Sequence, residues 1–150
     1  MTRGRVAWWL AAPALAAVAA ACGGSGASPT GAVAPGSGGG LTTTSHNAGR
    51  DCLACHREFR VAGTVYRADG STYPGATVRL TTAADGGGSV VLSVTADGSG
   101  NFYSSQSIAF GSGLYADVAG TADARRSMQA AFTSGACNSC HDASNRIRVD

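Results

Sequence analysis

Two five-residue segments of this chain carry one pattern, Cys52-Leu53-Ala54-Cys55-His56 and Cys137-Asn138-Ser139-Cys140-His141. Together they take four of the five cysteines and two of the three histidines. Cys-x-x-Cys-His is the spacing of c-type haem attachment. Two thiols one turn apart add to the two vinyl groups of one macrocycle, and the imidazole that follows sits under the iron as its proximal ligand. The pattern predicts two covalently attached haems c, held by Cys52, Cys55, Cys137 and Cys140 and ligated by His56 and His141.

Two other chemistries use paired cysteines. A split zinc site of four thiols, or of two thiols and two imidazoles, usually keeps its pairs closer in sequence than Cys55 and Cys137. A dithiol redox pair expects a βαβ setting, which the sequence lacks. A purely structural disulfide requires no histidine after each pair. Haem is therefore the expectation, with zinc and dithiol chemistry as its rivals.

The distal ligands come from what remains. His46 is the only histidine outside the motifs, and the ten residues from it to His56 extend to about 33 Å, enough to loop round a macrocycle edge. His46 is expected as the distal ligand of the first haem. The alternatives are an exposed linker histidine, or a ligand to the second haem or to a neighbouring molecule's haem. No histidine is left for the second haem. Met128 is the only methionine besides Met1, and ligation by His141 and Met128 would raise that haem's potential above a bis-histidine partner's. Met128, Ala130 and Phe132 also alternate as one face of a strand, which makes Met128 a core residue in the competing reading.

The chain's beginning reads as an address rather than as structure. Arg3 and Arg5 precede an apolar run at residues 6–20 that ends in Ala19-Ala20-Ala21-Cys22. The run is shorter than the ~20 residues of a membrane span. Residues 1–21 are expected to be a signal peptide. Small residues followed by cysteine resemble the bacterial lipoprotein box, which implies lipidation of Cys22, a membrane anchor there and, with Gly23 next, an outer-membrane destination. The usual leucine of that box is replaced by Ala19, and ordinary cleavage with a free Cys22 thiol is the alternative. All eleven basic residues are arginine. Without residues 1–21, nine arginines balance nine acidic residues, and no basic surface for nucleic acid is expected.

Residues 22–45 are rich in Gly, Ser and Thr and carry no charge. Such a segment buries too little surface to offset its ordering entropy, and it is expected to be a flexible tether. The dihaem domain is expected over residues 46–150. Alternating segments at FRVAGTVYRA, ATVRLTTA, SVVLSVTA, GNFYSS, GLYADVAG and SMQAAF are separated by Asp-Gly and Pro-Gly turns. They predict an all-β fold, a small antiparallel sandwich over about residues 61–133, with short helical or loop segments at the two motifs.

The stretches VAGTVYRADGSTYPGATVRLTTAADG and TADGSGNFY resemble the carboxypeptidase regulatory-like, or transthyretin-like, β-sandwich across about residues 61–118. With SHNAGRDCLACH and SGACNSCH, the mature chain is similar to small multihaem c-type cytochromes in which the haem motifs bracket a sandwich. The resemblance implies single-electron transfer in the cell envelope, with other cytochromes or redox proteins as partners and no enzymatic turnover; a homo-oligomer and a stack of cytochromes both stay open. A haem peroxidase or gas sensor with a five-coordinate second iron is one alternative. A surface binding module using Tyr66, Tyr73 and Tyr103 is another. Asp97, Ser99 and Asn101 alternate like calcium ligands but lack the rest of that loop, so a turn is expected. Arg57, Arg125 and Arg126 are candidate partners for haem propionates, or residues of a solvated face.

Overall fold

In the computed structural model, residues 45–120 and 124–149 are described. The expected signal peptide, Cys22, and the expected tether up to residue 44 lie outside the described residues. Ser45, counted with the tether, accepts from Asn101 Nδ2 at 3.0 Å through its hydroxyl and from Ser99 Oγ at 3.2 Å through its carbonyl.

Seven strands form in chain order: β1 (Val61–Tyr66), β2 (Thr77–Thr81), β3 (Val90–Thr95), β4 (Asn101–Ser104), β5 (Tyr115–Ala119), β6 (Arg125–Ser127) and β7 (Ile147–Arg148). They make a three-stranded sheet ordered β4-β1-β7 and a four-stranded sheet ordered β3-β2-β5-β6. The fold is all-β, as the Val- and Thr-rich alternation predicts. Successive side chains on a strand point to opposite faces. Val78 and Leu80 on β2 therefore turn inward, while Arg79 between them turns out toward Asp117. The two sheets share one apolar cluster, with Val61, Val65 and Phe102 from the first and Val78, Leu80, Leu92 and Val118 from the second. Each such burial contributes about 1.5–3 kcal/mol.

Three expectations are corrected. The last expected strand, SMQAAF, is not one. The strand lies earlier, at Arg125–Ser127, because the Arg125 and Ser127 side chains both bond the buried Asp117 carboxylate on β5. Beyond Met128 the chain bends, and Phe132 alone returns to bridge Leu114. The first sheet is not wholly antiparallel, since β7 runs parallel to β1 with Val65 opposite Ile147. Strand pairing therefore continues to Arg148, past the expected end near residue 133; two residues are too few to show a period. The helical content at each motif is a single three-residue 3-10 turn, Cys52–Ala54 and Cys137–Ser139.

β1 is buried along its whole length. One face, with Val61 and Val65, belongs to the core. The other, with Thr64 and Tyr66, lies under the segments that carry the two motifs. Thr64 Oγ1 accepts from Gly49 N at 2.9 Å, and Tyr66 O accepts from Val149 N at 2.9 Å. Two glycines allow close approaches here. Gly63 lies on the face of Val61 and Val65, where a Cβ would stand 2.6 Å from Phe102 Cζ and 2.9 Å from Cys137 Cβ, and a Cβ at Gly135 would overlap the Arg60 carbonyl.

Candidate functional site

Each motif folds into the same small turn. Cys55 N and His56 N both donate to Cys52 O, at 3.2 and 2.8 Å, and Cys140 N and His141 N donate to Cys137 O at 3.2 and 2.9 Å. Asp51 caps the first turn by accepting from Leu53 N at 3.1 Å. Ser139 Oγ braces the second by donating to Ala136 O at 2.6 Å. The turn is local, so it needs only the motif and its cap.

Both motif histidines are oriented by a hydrogen bond at Nδ1. His141 Nδ1 lies 3.0 Å from Asn145 O, and His56 Nδ1 lies 3.2 Å from Glu58 Oε1. A carbonyl or carboxylate oxygen accepts, so Nδ1 donates, and in the neutral imidazole Nε2 then keeps its lone pair. An imidazole held in this way is set up to ligate a metal. The Glu58 carboxyl is held below its ordinary value by backbone donation and then by His56.

His46 is exposed, and its ring centroid lies 5.8 Å from that of His56, tilted by 58°. Two imidazole nitrogens each about 2 Å from one metal place their rings roughly 6 Å apart. The expected proximal and distal residues of the first site are therefore brought together. On its other side His56 stacks on Phe59 at 5.0 Å, and Phe59 stacks on Tyr103 at 4.7 Å.

Among the described cysteines, Cys52, Cys137 and Cys140 are free thiols, and Cys55 is disulfide-bonded. Burial raises the Cys52 thiol, with the neighbouring Asp51 charge adding to it. Burial, then the nearby Cys52 sulfur, pushes Cys137 up to about 12. That coupling reflects how near the two motifs lie. Asn138, inside the second motif, donates to Arg50 O at 2.8 Å just ahead of the first, and accepts from Thr64 N at 3.0 Å. Thr64 Oγ1 donates to Asn101 Oδ1 at 2.6 Å, and Asn101 Nδ2 reaches His46 O at 3.3 Å. Thr64, Asn101 and Asn138 are all buried. This polar network ties both motifs and the His46 segment to β1.

Each motif borders a cavity. Beside the first, a cavity of ≈410 Å³ is lined by Leu53, Phe59, Ile108 and Phe110, with Thr133 and Ser134 at its wall. Beside the second, one of ≈480 Å³ opens between the two sheets. Val78, Phe102, Val118, Met128, Phe132 and Ile147 give it an apolar lining, with Cys137, Cys140 and His141 at one side and Arg126, Arg146 and Arg148 also lining it. Thr133 and Ser134 line both cavities. Volumes of this size are those of small-molecule pockets.

Among the described residues, no three His, Cys, Asp or Glu side chains converge as a metal-ion site. A porphyrin supplies the equatorial donors itself and asks the protein only for axial ligands. At the second motif an oriented imidazole beside an apolar cavity with cationic residues fits such a group; at the first, the His46 and His56 rings face one another and only Leu53 of the motif lines the neighbouring cavity. The Cys55 sulfur must leave its disulfide before it can form a thioether.

The structure sorts the remaining expectations. Met128 is half-buried and lines the second cavity, so it neither fills the core nor sits apart from His141. Arg125 is paired with Asp117, Arg126 lines the second cavity, and Arg57 is exposed. Asp97 makes a turn, its Oδ1 accepting from Ser99 N at 2.9 Å and Asn101 N at 3.1 Å. Tyr66 and Tyr73 are buried, with Arg146 and Arg67 stacked on their rings, so they form no exposed platform. Sequence reasoning missed Asn138, Thr64, Arg146 and Arg148. Only the alternating Arg-Ile-Arg-Val near the chain's end hinted at the last two. Among the described residues no helix is long and apolar enough to cross a membrane. In comparisons with known proteins, no family, no curated protein and no solved structure matches this chain.

Proposed function

We propose that this protein is a dihaem c-type cytochrome that carries single electrons in the bacterial cell envelope, its two motifs mounted on a carboxypeptidase regulatory-like β-sandwich. The observation that carries this reading is the pair of matching turns, each presenting an imidazole with Nδ1 engaged and Nε2 free. Cys52 and Cys55 hold the first haem with His56 as proximal ligand, and Cys137 and Cys140 hold the second with His141. His46 takes the distal position at the first site, supported by its 5.8 Å ring separation from His56. Met128 is the candidate distal ligand at the second, supported by its place in the cavity beside His141.

Each haem supplies a ferric/ferrous couple. The protein's part is to orient the imidazoles through Glu58 and Asn145, and to exclude water from the second site with the apolar faces of both sheets. It turns over no substrate. Lipidation at Cys22 anchors it to the membrane, and other redox proteins are its partners.

The test is expression in a host with haem-attachment machinery. Intact mass should show two haem increments, and near-infrared magnetic circular dichroism of the oxidised protein should show a His/His and a His/Met iron. A colourless product without the added mass overturns the reading. The second reading, a peroxidase or gas sensor, draws on the second cavity's offering Met128 as the one thioether beside His141. If Met128 does not bind iron, that site is open, and carbon monoxide will change the spectrum of the reduced protein.

A further inference from the structure

The second cavity holds more positive charge than its attachment motif explains. Arg126 on β6, Arg148 on β7 and Arg146 just before β7 all line it, and among the described residues no Asp or Glu does. Arg125, next to Arg126, is already paired with Asp117, so the unpaired charge belongs to the cavity rather than to the strand as a whole. Arg146 lies over the Tyr66 ring at 4.7 Å, and its Nη1 reaches Gly70 O at 3.4 Å. Its Nε is buried and has no hydrogen-bond acceptor. A buried guanidinium N–H without a partner is costly, and an anion within its reach would remove that cost. The same cavity is lined mainly by apolar side chains, with the hydroxyls of Ser127, Thr133, Ser134 and Ser139 among them.

We propose that Arg126, Arg146 and Arg148 form a carboxylate-holding edge for the propionates of the second haem, and that their charge sets this haem's potential above that of the first. The proposal rests on the dihaem reading. Planar guanidinium groups match carboxylates in geometry as well as charge. Positive charge close to the iron, in an apolar cavity, favours the ferrous over the ferric state. The first site has a different setting. Its ring pair belongs to an exposed His46 and a half-buried His56, and of its cavity's lining residues only Arg60 is charged. The second site would accordingly take up the first electron, delivered by a reduced redox protein or an electrode.

The test is a spectroelectrochemical titration of the full dihaem protein, whose two haem increments are first checked by mass. The wild type should reduce in two steps. His46→Ala should change the spectrum and position of the lower step only. Arg126→Gln and Arg148→Gln should each lower the upper step and leave the lower one in place; both residues are exposed and neither stacks on Tyr66, so folding tolerates the change. Arg146→Gln should lower it most. Adding inorganic phosphate should leave the wild-type steps unmoved. An upper step that belongs to the His46 site, or that ignores Arg126→Gln and Arg148→Gln, overturns the proposal. A phosphate-dependent upper step also overturns it, by assigning the edge to a free anion. Protein without haem overturns the dihaem reading itself.

Discussion

At the residue scale the most consequential side chain is one that the motif pattern leaves undefined. Asn138 occupies an x position, yet it is buried and spans from Thr64 on β1 to the Arg50 carbonyl ahead of the first motif. Asn138→Ala leaves Thr64 N and Arg50 O without that partner, which costs about 1–3 kcal/mol. A urea unfolding curve of the haem-free chain should show the loss; a change below about 0.5 kcal/mol would mean the network is dispensable. Asp117 offers a second check. Burial alone would raise its carboxyl, but hydrogen bonds from Arg125, Arg79 and Ser127 outweigh it and hold the carboxyl below its ordinary value. A folded value below the unfolded one stabilises the protein above the ordinary carboxylate range, and that contribution fades as pH falls through the folded value. Asp117→Asn should therefore cost about 1–3 kcal/mol at neutral pH, less than for a fully buried pair because both guanidinium groups reach solvent. It should also flatten the acid limb of a stability-versus-pH curve. An unchanged limb would assign acid sensitivity to other carboxylates.

At the element scale, the strands with strong alternation were legible. ATVRLTTA became β2 because Val78 and Leu80 select one buried face, whereas in SVVLSVTA, which became β3, Leu92 alone is buried and Val90 is exposed. SMQAAF misled because its alternation is short, and the Asp117 cluster holds Arg125–Ser127 in register instead. β7 was illegible since a two-residue strand exists only through its partner β1. The short turns at the two Cys-x-x-Cys-His motifs were legible, because their hydrogen bonds close within the motif. What joins the second turn to the sheet is the Gly135-Ala136 step, with Ala62 on β1 bridging Ala136 and its N donating to Gly135 O at 2.9 Å. Gly135→Ala puts a methyl into the Arg60 carbonyl and within 2.7 Å of Val61 Cα. Backbone atoms do not yield as side-chain ends do, so the expected loss is about 3 kcal/mol. The dihaem reading predicts a mass with one haem increment, the first site keeping its own. Two increments with unchanged stability would show that β1 can move aside.

At the scale of the whole molecule, the arrangement joins what the sequence separates. His46 and His56 were associated by reach alone, and their 5.8 Å ring separation agrees with it. How the second motif lies relative to the first was beyond sequence reasoning, because it follows from β1 being buried on both faces and from a parallel strand that returns beside it. Cys137 feels the charge of Cys52, Asn138 bridges to Arg50, and Thr133 and Ser134 form a wall common to both cavities. On the dihaem reading, haems held by the two motifs would therefore lie near one another rather than at opposite ends of the sheets. Paramagnetic ferric irons in such a pair should couple. The electron paramagnetic resonance spectrum of the oxidised wild type should then differ from the sum of two single-haem forms, one with Cys137→Ser and Cys140→Ser, the other with Cys52→Ser and Cys55→Ser. A spectrum equal to that sum would place the irons too far apart to share the wall, and would leave single-electron exchange to contacts between molecules.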